Sequence, residues 1–259
     1  MSAIAVNSAD ITARWMRALI RQPWWIAITL VQPVIWLLLF GALFQSVVEI
    51  PGFEVANYDD YLAPGIVVMT ALFSAGWSGF GMLQDMDKGI MDRFLVTPVG
   101  RIALIIGPIA QNSIVTIVQS MIIIGLALLV GASLPGGVAG VLALFAVALL
   151  LAASVAAFSN AIALLVRQEE TLIGVVNFVT LPLTFLSSTF MQLSLAPEWI
   201  QQVAKFNPVN WAAEAGREAV ISSSPDWSLI FERIGLLAAL AAVMLWWATR
   251  AFRSYQRSA

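Results

Sequence analysis

Six long apolar stretches, at residues 24–45, 62–83, 102–130, 138–166, 172–193 and 229–252, constrain this chain more than anything else in it. A hydrocarbon core about 30 Å thick takes roughly 20 apolar residues to cross as a helix, and a helix satisfies its own backbone where no water can. Each stretch is long enough, so the sequence predicts an all-α membrane protein with six transmembrane helices, a single transmembrane domain over 1–259. The third and fourth exceed the need, which predicts tilt or an interfacial end turn, and the "GASLPGG" between them suits a tight loop. The first run has no small-residue cleavage site after it and reads as a retained span.

Composition then removes whole classes of function. With no Cys and no His, disulfides, thiolates, imidazole bases and the usual zinc sites are unavailable. A net charge of −2 and scattered basic residues offer no field for nucleic acid. No Asp, Glu, Lys or Arg occupies the middle of a predicted span, where proton- or sodium-coupled carriers commonly keep one. Neither lysine follows a glycine, so a phosphate-cradling loop is ruled out, and the residue sets of intramembrane serine, metallo- and aspartyl proteases are missing.

Basic residues set the expected orientation. Arg14, Arg17, Arg21, Lys88, Arg93, Arg101, Arg167, Arg250, Arg253 and Arg257 fall on one side, and only Lys205, Arg217 and Arg233 on the other. The positive-inside tendency therefore predicts both termini in the cytoplasm of a cell-membrane protein. Residues 47–61, with Glu49, Glu54, Asp59 and Asp60, then face outward, as does 194–227.

Before the first span, residues 9–22 read as an amphipathic interfacial helix in contact with lipid, with Ile11, Trp15, Ala18 and Leu19 on one face and Arg14, Arg17 and Arg21 on another. Between spans five and six, Trp199, Val203 and Phe206 share a face, and Pro208 separates them from a second piece with Trp211 and Ala215. That pattern predicts two short helices at or re-entering the outer leaflet. At depth the chain offers neutral polarity, in Gln32, Gln111, Asn112, Gln119, Asn160 and Asn177, expected mainly to bond helix to helix. Pro33, Pro108 and Pro182 are candidate kinks, and Ala153, Ala157 and Ala161 a candidate close-packing stripe.

The loop 84–101, "QDMDKGIMDRFLVTPVGR", gathers six charges. Asp85, Asp87 and Gly89 are expected to precede a short helix in which Ile90 and Phe94, then Met91 and Leu95, lie four apart, and which ends where Pro98 disfavours α geometry at Thr97. An apolar stripe beside Asp92 and Arg93 suits a groove on another protein.

These residues resemble the loop between spans two and three of type-2 ABC exporter permeases. The pattern matches at Asp85, Asp87, Lys88, Gly89, Asp92, Arg93, Leu95, Thr97, Pro98 and Arg101, with Asp where the family usually has Glu. A second stretch from Phe185 is similar to the daunorubicin-exporter-like branch at Phe185, Leu186 and Ser187, at Pro197 and Trp199, at Asn207, Pro208 and Val209, and at Glu214 and Arg217. The resemblance implies that 84–101 is a coupling helix docking a separate ATP-binding cassette subunit, with Phe94 and Leu95 buried in the contact. It implies that the region holding Pro197, Trp199, Phe206, Asn207, Pro208, Glu214 and Arg217 gates the exit.

The implied assembly is two permeases, identical or homologous, with two ATP-binding subunits that carry ATP and Mg, this chain holding no cofactor. The implied activity is outward movement of an amphipathic, drug-like or lipid-linked compound. Two rivals remain at this point, a membrane enzyme acting on lipid-linked substrates and a non-transporting scaffold. The first would need convergent ionisable groups, and the second would show no ATP-dependent export with its partner.

Overall fold

The computed structural model describes residues 11–14, 16–17, 30–49, 57–91 and 101–258. The expected interfacial helix is helical where described, at 11–14 and 16–17. Residues 92–100 lie outside the described residues, and with them Asp92, Arg93, Phe94, Leu95, Thr97 and Pro98 of the predicted coupling helix.

Every regular element among the described residues is helical. In chain order these are α1 (Leu30–Leu43), α2 (Tyr58–Gly76), α3 (Ser78–Asp87), α4 (Arg101–Val130), α5 (Gly137–Val166), α6 (Glu169–Phe185), α7 (Glu198–Ala204), α8 (Pro208–Ile221) and α9 (Trp227–Ser258). Among the described residues four segments are long and apolar enough to cross a membrane: Tyr58–Asp87, which joins α2 and α3, Ala103–Val130, Gly137–Val166 and Trp227–Gln256.

The stretch expected to span 172–193 differs. Its helix, α6, is 17 residues long and stops at Phe185, a length of about 26 Å at 1.5 Å per residue. Here hydroxyls take over the carbonyls that a longer helix would use. Thr184 donates to Thr180 O at 2.8 Å and Ser187 to Thr184 O at 2.6 Å, while Pro182 supplies no amide. The chain leaves the helix at 186–192, and Ser187, Ser188 and Thr189 are buried by protein, the condition under which irregular backbone is tolerated at membrane depth.

α5 is the hub, with α2, α3, α4, α6, α8 and α9 all packed on it. It is apolar all round, as a helix enclosed by others should be. Ala157 and Ala161 are buried as expected, but Ala153 is only half-buried, and Ala148, Ala152 and Ala156 are buried as fully as Ala157 and Ala161. The helix therefore shows its small residues to more than one neighbour. Its end turns sharply on Arg167, in the left-handed region at φ 56°, whose guanidinium lies 4.7 Å from the Tyr255 ring centre.

Two apolar clusters divide the bundle lengthwise. One collects Tyr61, Leu62, Ile66 and Leu72 of α2 with Leu144, Val147 and Leu151 of α5 and Val209 and Ala212 of α8. The other, at the end rich in basic residues, joins Ile11, Met82, Leu83, Met91, Leu104, Leu164, Leu172 and Phe252. We call these the far end and the basic end.

Candidate functional site

At the basic end, Asp85 and Asp87 finish α3, the chain turns at Lys88 and Gly89, the glycine at φ 62° where side chains are disfavoured, and Ile90 and Met91, the last described residues before 101, are helical again. The carboxylates then diverge. Asp85 turns inward and pairs with Arg14, whose Nη1 lies 3.1 Å from Asp85 Oδ1 and whose Nη2 contacts Oδ2. Arg14 is thus drawn off the solvent face expected of it, while Ile11 packs against Gly107 of α4, where any Cβ would overlap it. Asp87 and Lys88 remain exposed, and Met91 beyond the turn is buried. The docking residues predicted here therefore fall into two groups: an inward anchor at Asp85 and an exposed pair at Asp87 and Lys88.

Midway along the bundle, α1, α2, the α2–α3 junction and α4 line a partly open cavity of about 60 Å³, with Gln32, Pro33, Met69, Thr70, Phe73, Ser74, Trp77 and Gln119 in its wall. Ser74 donates to Asn112 Oδ1 at 3.3 Å, so Asn112 does bridge helices. Its amide nitrogen and the Thr116 hydroxyl, four residues along α4, are nonetheless buried with no hydrogen-bond partner. A largely apolar cavity with a few neutral polar side chains in its wall suits a neutral polar group and disfavours a bare charge.

At the far end the irregular 186–190 backbone is held by side chains from α2 and α8. Asn207 caps α8 by accepting from Val209 N at 2.9 Å, and its Nδ2 donates to Leu183 O and Leu186 O at 2.7 and 2.8 Å. Pro208 occupies the first helical turn, where its missing amide costs nothing. Arg217 donates to Ser188 O at 2.9 Å, Ser188 Oγ at 3.3 Å and Tyr61 O at 3.4 Å, with its guanidinium carbon 3.6 Å from the Tyr61 ring centre. Burial pulls the Arg217 pKa below its ordinary value, against the opposing influence of Tyr61, Glu214 and Tyr58. Glu214 itself pairs with Arg233 of α9 at 3.2 Å and accepts from Asn210 Nδ2 at 2.8 Å.

The predicted gate residues also separate. Asn207, Pro208, Glu214 and Arg217 belong to this internal network, while Trp199, on α7, and Phe206, in the turn after it, are 61% and 82% exposed. Pro197 caps α7 from an extended conformation. Sequence reasoning missed Asn210, Tyr61, Ser188 and Asp60. Asp60 grips the hairpin between α4 and α5 by accepting from Ser133 N at 2.7 Å and Ser133 Oγ at 2.9 Å. The acidic pair that opens α2 was visible, but a turn 73 positions later in the sequence was not a readable partner. Among the described residues no group of three or more Asp or Glu side chains is arranged to hold a metal ion.

A family model described as ABC-2 type transporter matches residues 10–221. The chain is 27% identical over 237 residues to the daunorubicin resistance ABC transporter permease protein DrrB1 of Streptomyces coeruleorubidus, covering 91% of this chain and 81% of that one. It is 31% identical over 217 residues to the ycf38 permease of Cyanophora paradoxa, covering 82% and 73%.

Proposed function

The chain belongs to the ABC-2 type transporter family, and from that premise we propose that it is the membrane-spanning subunit of an ATP-driven exporter of amphipathic compounds. It is a transport subunit rather than an enzyme. ATP and Mg bind in a separate ATP-binding cassette subunit, two copies of which meet two permeases at the basic end, which faces the cytoplasm of the cell membrane with both termini. The observation that carries this reading is the family match across most of the chain, including the coupling loop.

The geometry supports the division of labour. Asp85 anchors the base of the loop to the N-terminal helix through Arg14, leaving Asp87 and Lys88 free for a partner. For cargo, the small cavity has room for one polar group, so a planar or lipid-like body would lie along the apolar walls with that group against Ser74 and Gln119. The DrrB1 relative is described as a daunorubicin resistance permease, and daunorubicin, an amphipathic molecule whose planar ring system bears carbonyl and hydroxyl groups and whose amino sugar would keep its charge outside the cavity, is a suitable probe.

The test is co-purification of the chain with its ATP-binding subunit and daunorubicin export in proteoliposomes. Burying Phe94 contributes roughly 1.5 to 3 kcal/mol, while an exposed charge contributes about 0 to 1. Phe94→Asp is therefore expected to abolish co-purification and export, and Asp87→Asn to reduce them slightly. Wild-type binding by Phe94→Asp would remove the loop from the coupling role. Orientation is tested in this cysteine-free chain by single cysteines: an impermeant thiol reagent on intact cells should label position 223 and not position 88.

A further inference from the structure

Residues 58–87 make one membrane-long run, broken at Trp77 between α2 and α3. In an unbroken helix the Gly79 amide would donate to the Ala75 carbonyl and the Phe80 amide to the Gly76 carbonyl. Instead a side chain from α5 stands in the gap. Gly79 N donates to Ser159 Oγ at 3.0 Å, Ser159 Oγ donates to Gly76 O at 2.5 Å, and Phe80 N turns back to Trp77 O at 3.1 Å. Beside it, Ser78 Oγ donates to Asn160 Oδ1 at 3.3 Å.

Ser159 is completely buried, so no water or lipid can replace it. The approach depends on glycine: a Cβ on Gly79 would lie 2.6 Å from the Ser159 carbonyl oxygen. The break contains no proline, and hence no covalent reason to persist. The Gly79 amide has two acceptors within reach of a small backbone change, Ser159 Oγ in the bent form and the carbonyl of Ala75 in a continuous helix. A side chain inserted into the helical ladder is a recognised cause of a kink, and an element with two hydrogen-bonded arrangements is the kind that switches.

The two halves are held differently. α2 is fixed at the far end, where Tyr58 and Tyr61 donate to Phe190 O and Ser188 O at 3.0 and 2.7 Å. α3 leads directly to Asp87, Lys88 and the loop 84–101. We propose that Ser159 is a positioning residue, the fulcrum on which α3 tilts against α2, so that movement of the docking loop is passed to the transmembrane region through exchange of the Gly79 hydrogen bond. This rests on reading the chain as an ATP-driven permease.

The decisive experiment compares wild type, Ser159→Ala, Ser159→Thr and Ser154→Ala in complex with the ATP-binding subunit in proteoliposomes. Daunorubicin exported per ATP hydrolysed is measured alongside thermal midpoint. Hydrogen exchange at Gly79 and Phe80 is read on the permease alone. Ser159→Ala should keep hydrolysis within about twofold of wild type while export per ATP falls about tenfold; Ser159→Thr, which keeps the hydroxyl, should recover most of it. Ser154 lies on the same helix but bonds its own Leu150 carbonyl at 2.7 Å, so Ser154→Ala should change neither quantity. Exchange at 79–80 should shift about tenfold in Ser159→Ala, with 62–72 unaffected.

Wild-type export per ATP in Ser159→Ala overturns the proposal. So does a loss of hydrolysis and export in equal proportion with a lowered midpoint, the mark of a staple alone. If Ser159→Ala does not insert, Ser159→Cys, a weaker hydrogen-bonding partner, is read by the same criteria. If the wild-type complex exports no daunorubicin, the cargo reading fails, and unchanged exchange at 79–80 would then sink the hinge separately.

Discussion

The two ends of the bundle solve opposite problems. The far end contains irregular backbone and is fixed by directional bonds: Asn207, Arg217, Tyr58 and Tyr61 each donate to carbonyls between 61 and 190. The basic end is made of continuous helix ends and relies on apolar packing, with Arg14–Asp85 as its ion pair and Thr12 reaching Gly107 O at 3.4 Å. Directional bonds resist sliding, because each is lost within a fraction of an ångström, whereas apolar packing tolerates small shifts between helices. The far end is therefore built to hold one geometry, and the basic end to tolerate small shifts.

The comparison breaks if the far end proves the weaker of the two. Arg217→Met leaves Ser188 and Tyr61 carbonyls without their charged donor and should lower stability most, by about 3 kcal/mol, since hydrogen bonds to charged groups contribute about 1.5 to 3. Equilibrium unfolding in mixed micelles measures this, and a loss below that of any basic-end variant would reverse the ranking. Asn207→Ala removes a cap and two bonds to the end of α6, and about 2 kcal/mol is expected. Protease cleavage within 186–206 should rise in parallel, and an unaltered digestion pattern would show that Asn207 does not hold this segment.

Smaller effects sharpen the contrast. A double-mutant cycle on Arg14→Gln and Asp85→Asn should return a coupling of about 1 kcal/mol or less, because Arg14 is about one-third exposed and solvent screens the pair. A coupling as large as the Arg217 effect would mean the basic end is locked rather than compliant. Asp87→Asn should leave stability within about 0.5 kcal/mol, as an exposed substitution away from any contact does.

Much of this contrast could not be read from residue order. The long helices were legible because apolar runs of membrane length admit few other solutions, and the α2–α3, α4, α5 and α9 segments fall close to their expected limits. The stop of α6 at Phe185 was hidden because "TLPLTFLSSTF" stays apolar enough to continue; what ends it is hydroxyl back-bonding and the arrival of Asn207 and Asn210 from a later helix. Arg14 looked like part of a wetted face by helical periodicity, and only the third dimension set Asp85 opposite it. Of the candidate site residues, Asn207, Glu214 and Arg217 were found by family resemblance, yet the 183–188 backbone that Asn207 and Arg217 hold carried no signal of its own. Ser159 was equally silent, one small residue in an alanine-rich helix, although the glycines of "SAGWSGFG" across from it hinted at a close approach.

The dependence of residues 186–190 on Arg217 also imposes an order in time. A ribosome that has completed Phe190 has made the irregular turn but none of its α8 anchors; Asn207, Asn210 and Arg217 follow 17, 20 and 27 residues later. Until they emerge, only Tyr58 and Tyr61 of α2 can reach the turn, and the Leu186 carbonyl and Ser188 amide have no lasting place within lipid. The nascent chain must wait at a watery boundary, with α6 only partly seated, until α8 folds back over it. Chains truncated between 190 and 217 should then be released as incompletely inserted species and cleared by membrane quality control, although they already contain most of the hydrophobic length of the finished protein.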